Sequence, residues 1–155
     1  MSIRYQVGDA TAPQADGPRI ICHICNDIGG WGAGFVVALS RRWKEPERAY
    51  RDWYSAGEGF ALGEVQFVNV EPGLWVANMV GQHGVGIRKG KAPIRYEAVR
   101  TALRKVATFA KAQGASVHMP RIGCGLSGGT WDQIEPLITD SLVAGGIEVF
   151  VYDFK

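Results

Sequence analysis

MPRIGCGLSGG, from Met119 to Gly129, joins an apolar run that is typical of a β-strand to a segment that is typical of a helix. The same order occurs earlier, where the apolar run Ile20–Cys25 leads through Asn26–Gly34 into a helical pattern. We call residues 26–34 the first loop and residues 120–129 the second loop. Glycines let the backbone turn its amides inward without a Cβ, and a following helix adds unpaired donors. Two such loops at one carboxyl edge of a sheet can hold a diphosphate from opposite sides.

The alternative is that both loops are ordinary tight turns. Strand-to-helix connections usually take about two to six residues, and both loops are longer than that. Neither loop has the Gly-Lys-Ser/Thr ending of a nucleoside triphosphatase or the GxGxxG form of a dinucleotide site. The sequence therefore predicts a phosphate-bearing ligand other than ATP with magnesium, and it predicts no cofactor.

The rest of the chain alternates strand-like and helix-like segments. The predicted strands are Ile3–Val7, Arg19–Cys25, Glu64–Val70, Leu74–Val80, Ser116–Met119 and Glu148–Tyr152. The predicted helices are Trp31–Trp43, Pro46–Tyr54, Ile94–Gln113 and one that begins at residues 130–132 and holds Pro136 in its first turn or so. Glu71-Pro72-Gly73 predicts a hairpin, and residues 81–91 a loop. This order predicts an α/β fold, a three-layer α/β/α sandwich with a mixed, mostly parallel central sheet.

Composition limits the classes of function. The 155 residues are the length of one domain, with 46% hydrophobic and 21% charged residues, as in a globular protein. A net charge of +2 does not favour nucleic acid, and solvated surface accounts for the basic stretches 41–44 and 88–91. No apolar stretch is long enough for a membrane span, and the N-terminus lacks the pattern of a signal peptide. We therefore expect a cytoplasmic protein without a membrane partner, and the glycine- and alanine-rich usage hints at a bacterial source.

Cysteines offer a metal site or a nucleophile as alternatives. Three cysteines without a signal peptide indicate reduced thiols. Cys22-His23-Ile24-Cys25 has ligand residue types, but it lies in an apolar run where a buried strand is favoured. Cys124 lies within the second loop, where a small buried residue is favoured over a nucleophile. No metal site is predicted.

The second loop carries a specific resemblance. The string Pro120–Leu126, followed by Trp131, resembles the second phosphate loop of macrodomains. The similarity is greatest to the branch of the terminal ADP-ribose protein glycohydrolase and of a chromatin-remodeller macrodomain. Gly8-Asp9 resembles the early Gly-Asp of the family, and His23 with Gly32-Ala33-Gly34 resembles the first loop of that branch. The resemblance runs from about Ile3 to Phe154, and it implies ADP-ribose as the ligand.

The resemblance also implies roles for individual residues. Asp9, with Ala10 beside it, would accept the adenine amino group, and Phe154 or Tyr152 would stack on the ring unless it only packs. Asn26 would lie beside the distal ribose, or cap a turn, and Trp31 would form a pocket wall, or pack on the surface. The loop residues that would enclose the diphosphate are Gly32, Ala33, Gly34, Ile122, Gly123, Cys124, Gly125, Leu126, Ser127 and Gly128.

Catalysis is where this chain departs from the resemblance. The glycohydrolase uses an aspartate, at whose position Ser127 stands, and a lysine that forms an adduct, whereas residues 78–83 contain no lysine. A water held between the diphosphate and the anomeric carbon, with the substrate phosphate as base, is an alternative route. Asn26, Asp27 and His83 are the candidate catalytic residues, with Asp27 the nearest protein base. The last two have solvated loop positions as their alternative.

The sequence thus predicts a hydrolase whose partners are ADP-ribose and mono-ADP-ribosylated proteins. It would remove mono-ADP-ribose that is ester-linked to glutamate or aspartate, or acyl groups from ADP-ribose, since such esters need little more than orientation and an activated water. The first alternative is a module that reads ADP-ribose without turnover. A nucleotide- or RNA-binding module is the second, less favoured alternative.

Overall fold

A computed structural model describes residues 2–87 and 89–154 of the chain. Within these ranges, six strands and four α-helices follow one another, and a π-helical turn at Thr139–Val143 continues the last helix. The strands are β1 Arg4–Val7, β2 Arg19–Asn26, β3 Val65–Glu71, β4 Leu74–Gln82, β5 Ser116–Met119 and β6 Val149–Asp153. The helices are α1 Phe35–Arg42, α2 Glu45–Ala56, α3 Tyr96–Gln113 and α4 Trp131–Ile138. None of the helices within the described ranges has the length and apolarity that a membrane crossing requires.

The strands form one sheet in the order β1-β6-β5-β2-β4-β3. Every neighbouring pair is parallel except β3 and β4, which form the antiparallel hairpin that the Pro-Gly connection predicts. β2 lies in the interior of the sheet between β5 and β4, which explains why it is apolar on both faces. The predicted mixed, mostly parallel sheet is confirmed.

Helices cover both faces of the sheet. On one face, Ile20 and Cys22 of β2 join the core formed with α3 and α4, and on the other, Ile21 and Cys25 join the core formed with α1 and α2. This is the predicted three-layer sandwich. The alternation also assigns Cys22 and Cys25 to different core clusters, and the part of the chain that the structure describes contains no group of three or more His, Cys, Asp or Glu residues suited to a metal.

Two boundaries differ from the prediction at the edge where the loops lie. The first helix begins at Phe35, because Gly34 has a φ of 82° and therefore lies outside the helical region. Strand β4 extends through Gln82, because Gln82 pairs with Asn26 of β2 and bridges to Ile94. Gln82 therefore belongs to the sheet rather than to the predicted loop.

Pro136 also differs from the prediction. It is the sixth residue of α4, beyond the first turn, so no amide is present there to donate to the carbonyl four residues earlier. The chain then widens into the π-helical turn, where the Ser141 hydroxyl donates to the carbonyls of Leu137 at 2.6 Å and Ile138 at 3.4 Å.

Candidate functional site

A cavity of about 690 Å³ lies between the first and second loops, and residues at the ends of β2 and β4 and directly after β5 contribute to its walls. This volume is within the range of small-molecule and cofactor sites. Predicted site residues that line it are Asn26, Trp31, Gly32, Ala33, Gly34, Ile122, Gly123, Gly125, Leu126 and Ser127. The structure thus brings the two predicted phosphate loops together around one space, at the carboxyl edge of the sheet.

Other predicted residues lie outside the cavity lining. They are Asp9, Ala10, Asp27, His83, Cys124, Gly128 and Phe154. The lining also contains residues that sequence reasoning did not select, namely His23, Ile24, Cys25, Gly30, Phe35, Val36, Gln82, Val85, Gly86, Pro120 and Arg121. Of these, His23, Gly30, Pro120 and Arg121 had a signal in the sequence, because His23 belongs to the resemblance of the first loop and the other three lie within the two loops.

Asn26 holds the first loop in shape. Its Oδ1 accepts hydrogen bonds from the Ile28 and Gly30 amides, both at 3.0 Å, and from the Tyr50 hydroxyl at 2.8 Å. Its Nδ2 donates to the Gly30 carbonyl at 3.0 Å. Its side chain thereby makes four hydrogen bonds inside the protein, so Asn26 holds the turn of the first loop together and also borders the cavity.

Trp31 is a buried wall of the cavity rather than a surface residue. Its exposed fraction is 6%, and its indole nitrogen donates to the Ser40 hydroxyl at 2.8 Å. Its ring meets the His23 imidazole edge to face, with centroids 5.3 Å apart. Hydrogen bond and ring contact together fix one orientation of the indole.

Both loops contain runs of amides without partners in the protein. Within the described ranges, the backbone amides of residues 31–36 and of residues 123–127 have no acceptor. The first run includes the N-terminus of α1, which has no side-chain cap at Gly34. Unpaired amides that surround a concave space attract an anion, and a helix N-terminus adds the positive end of its dipole.

The second loop depends on glycine for its shape. Gly123 has a φ of 76°, and a Cβ there would lie 2.5 Å from Ile94 Cδ1 and 3.0 Å from Ile134 Cδ1. The Gly129 amide donates back to the Gly123 carbonyl at 2.7 Å and closes the loop. Side chains from the core therefore lie directly under this loop and set its path.

Arg121 places a guanidinium at the cavity, where it is paired with the carboxylate of Asp153. Its guanidinium donates to both carboxylate oxygens of Asp153, at 2.7 and 3.1 Å. It lies 5.1 Å from the ring centroids of both Tyr5 and Trp131. The hydrogen bond to Asp153 raises the pKa of Arg121, so its charge is permanent.

Gln82 and Ser127 are hydrogen-bonded to each other in the cavity wall. The Ser127 hydroxyl donates to Gln82 Oε1 at 2.6 Å, and Gln82 Nε2 donates to the Gly84 carbonyl at 2.9 Å. Both residues are almost fully buried, with exposed fractions of 7% for Gln82 and 8% for Ser127. In the resemblance drawn from the sequence, Ser127 stands at the position of the glycohydrolase aspartate, and Gln82 lies within residues 78–83, which contain no lysine.

Asp27 and His83 form a pair beside the cavity. His83 Nδ1 lies 2.7 Å from one Asp27 oxygen, and the Gly84 amide donates to the other at 2.7 Å. Partial burial favours a higher pKa for Asp27, but the hydrogen bonds from Gly84 and His83 outweigh it and hold the pKa below its usual value. Both oxygens have partners, so this carboxylate joins the first loop to the loop after β4.

The predicted adenine residues lie at the end of β1 and β6. Asp9 Oδ1 accepts from the Thr11 amide at 2.9 Å and from its hydroxyl at 2.7 Å, while Arg42 lies 3.6 Å from Oδ2. Burial favours a higher pKa for Asp9, but these contacts lower it overall. Tyr152 is buried, whereas Phe154 is 82% exposed, so Phe154 is the aromatic with a free face.

A buried polar chain lies under the cavity floor. His23 Nε2 donates to Asn78 Oδ1 at 2.5 Å, and Asn78 Nδ2 donates to Gln66 Oε1 at 3.0 Å. Burial lowers the pKa of His23 to about 4, so the imidazole is neutral at neutral pH. Burial also raises the thiol pKa of Cys25, which lies beside this imidazole, and that thiol therefore remains protonated.

Comparison with solved structures places the domain in a family. No protein-family model matches the chain. A macrodomain protein from Streptomyces coelicolor is 57% identical, with a TM-score of 0.87 and coverage of 98% of this chain and 99% of that chain. The chain belongs to the macrodomain family. This macrodomain is also 60% identical to a Bacteroides thetaiotaomicron protein of unknown function, with a TM-score of 0.97 and coverage of 99% and 98%.

Curated relatives match the same macrodomain at lower identity. The mouse chromodomain-helicase-DNA-binding protein 1-like is 34% identical over 99% of this chain, which spans only 18% of that protein's length. An ADP-ribose 1''-phosphate phosphatase from Meyerozyma guilliermondii is 23% identical, with coverage of 88% of this chain and 91% of the phosphatase. The resemblance that the Pro-Arg-Ile-Gly-Cys-Gly-Leu string predicts is thus confirmed at the level of the family.

Proposed function

We propose that this macrodomain binds ADP-ribose in the cavity between its two loops and hydrolyses mono-ADP-ribose that is ester-linked to glutamate or aspartate side chains of proteins. One observation carries the proposal. Two runs of amides without acceptors among the described residues, 31–36 and 123–127, belong to the two loops that line a cavity of about 690 Å³. Among the relatives, the phosphatase acts on a phosphorylated form of ADP-ribose, as its name states.

The ligand would lie across the carboxyl edge of the sheet. The diphosphate would lie between the loops, where the amides would stabilise its charge by hydrogen bonding, close to the Arg121 guanidinium that Asp153 holds. The adenine would lie toward Asp9 and the exposed ring of Phe154, and the distal ribose toward Asn26 and Trp31. This orientation leaves the anomeric carbon beside the first loop, on the side of Gln82 and Ser127.

Ester hydrolysis requires little acid catalysis from the protein. A water oxygen attacks the anomeric carbon, the bond from that carbon to the ester oxygen breaks, and its electron pair leaves with the side-chain carboxylate. A carboxylate with a pKa of about 4 leaves as an anion at neutral pH, so no group has to protonate it. The proton of the water passes to a diphosphate oxygen and then to solvent.

In this proposal, Asn26, Asp27 and His83 act by shaping the site. The Asn26 side chain forms hydrogen bonds within the first loop, and the ionised Asp27 binds His83 and the Gly84 amide. A carboxylate whose pKa is lowered and whose two oxygens are occupied is a weak base. Orientation of substrate and water then supplies most of the rate.

Release of ADP-ribose from a protein mono-ADP-ribosylated on glutamate tests the activity, beside calorimetric titration of the macrodomain with ADP-ribose. We expect a saturable affinity and time-dependent release of free ADP-ribose. An O-acyl-ADP-ribose substrate tests the related deacylation. The absence of both binding and release would refute the assignment.

A reader module is the second candidate. Serine stands at position 127, where the resemblance implies the aspartate of the glycohydrolase, and residues 78–83 contain no lysine. A reader would bind the modified protein without removing its ADP-ribose. Binding of ADP-ribose together with no release above the uncatalysed rate would favour this candidate over the hydrolase.

A further inference from the structure

We propose that Ser127 is a catalytic residue that holds the attacking water through its hydroxyl oxygen, and that Gln82 is the positioning residue that orients this hydroxyl. This inference rests on the proposed hydrolase function. It starts from the hydrogen bond in which the Ser127 hydroxyl donates to Gln82 Oε1 at 2.6 Å. Both side chains are buried and both line the cavity.

The hydrogen bonds of the pair determine which atoms face a ligand. A serine hydroxyl has one proton and two lone pairs, and the proton of Ser127 is committed to Gln82. Within the described residues, no donor is hydrogen-bonded to the Ser127 oxygen. Its lone pairs are therefore available as an acceptor for a water or a hydroxyl inside the cavity.

Both members of the pair also form hydrogen bonds to groups outside the pair. The Ser127 carbonyl accepts from the Ile94 amide at 3.0 Å, and Gln82 Nε2 donates to the Gly84 carbonyl at 2.9 Å. Gln82 is also in β4, where it pairs with Asn26. The acceptor direction of Ser127 is thus fixed by strand, loop and amide together, which is the preorganisation that a positioned water needs.

The chemistry of a neutral pair differs from that of an aspartate and a lysine. Neither side chain ionises, so neither takes the proton from the water or forms an adduct. Ser127 accepts one O–H of the water, which turns an oxygen lone pair toward the anomeric carbon. The second proton leaves to a diphosphate oxygen as the bond to the carboxylate breaks. The pair thus supplies orientation, while the substrate supplies the base.

Matched variants separate this role from a structural one. Ser127→Ala removes the acceptor, and we expect kcat for release of ADP-ribose from the glutamate-modified protein to fall roughly 10- to 100-fold. The Kd for ADP-ribose should stay within about threefold, because the diphosphate amides are untouched. Ser127→Thr keeps the hydroxyl, and its kcat should recover to within about fivefold of the parent protein.

Gln82→Met keeps the length of the side chain but removes the acceptor for the Ser127 proton. We expect a smaller loss of kcat, and the double variant with Ser127→Ala should lose no more than Ser127→Ala alone, because Gln82 acts through Ser127. Ser141→Ala is the control, since it removes a serine hydroxyl with a 2.6 Å hydrogen bond from a residue that does not line the cavity. Its kcat should match that of the parent protein.

The outcomes separate the inference from the proposed function. Release by the parent protein with an unchanged kcat in Ser127→Ala would overturn the role of the pair and leave the hydrolase intact. Loss of kcat in Ser127→Ala that Ser127→Thr does not restore, or additive losses in the double variant, would also overturn it. No release by the parent protein would overturn both.

Discussion

Two alanine substitutions, two residues apart in the second loop, are expected to affect different properties, namely stability and ligand affinity. At Gly123, φ is 76°, and an added Cβ would lie 2.5 Å from Ile94 Cδ1, 3.0 Å from Ile134 Cδ1 and 3.3 Å from Ile24 Cδ1. At Gly125, φ is outside the left-handed region and an added Cβ meets nothing within 4 Å. The first change acts on the core, and the second on the cavity that Gly125 lines.

The magnitude for Gly123→Ala has two parts. A left-handed backbone costs an alanine roughly 1–2 kcal/mol, and overpacking three core side chains costs roughly 1–3 kcal/mol. We therefore expect the free energy of unfolding to fall by about 2–5 kcal/mol. For a domain of this length, such a loss lowers Tm by at least about 5 °C. For Gly125→Ala, the free energy of unfolding should change by no more than about 0.5 kcal/mol.

Ligand affinity provides the second half of the test. The methyl group of Gly125→Ala prevents the backbone from approaching a diphosphate closely, and the ADP-ribose Kd should rise at least about tenfold, or about 1.4 kcal/mol. Urea unfolding and calorimetric titration of both variants measure the two effects. A Gly123→Ala protein as stable as the parent would refute the packing argument, and unchanged affinity in Gly125→Ala would refute close approach of the second loop to the ligand.

Three further outcomes are expected. His23 in β2 and His118 in β5 are both buried, and burial lowers the pKa of each to about 4. The unfolded chain therefore takes up protons at a higher pH than the folded protein, so stability should fall by up to about 3 kcal/mol per histidine as pH drops from about 6.5 to 4. Urea unfolding at several pH values measures this, and a flat profile contradicts it. Asn26→Ala leaves the Gly30 amide without its acceptor and should cost about 1–3 kcal/mol in thermal unfolding, together with ADP-ribose affinity, whereas intact binding would contradict the role of Asn26 in holding the first loop. Asp27→Asn keeps an acceptor, so kcat for ADP-ribose release should stay within about threefold; a hundredfold loss would instead make Asp27 the base.

Much of the fold follows from local patterns in the sequence. Apolar runs, Pro-Gly at the hairpin and Gly114 after the long helix specify strands and helices, because backbone conformation and burial act over a few residues. The continuous apolar run Ile20–Cys25 already indicates a strand buried on both faces. The predicted end of β4 was wrong because partners from other segments determine it. The strand continues through Gln82, which pairs with Asn26 and Ile94, and no local feature of that segment shows those partners.

The site divides in the same way. The sequence by itself determined the two loops that line the cavity, because their glycines and the Pro-Arg-Ile-Gly-Cys-Gly-Leu string are local features of consecutive residues. Only the tertiary structure decided that Asp27 pairs with His83, 56 residues away, and that Ser127 donates to Gln82, 45 residues away. Such hydrogen bonds depend on distances and directions between side chains from different elements, and these are set when the sheet and its helices pack together.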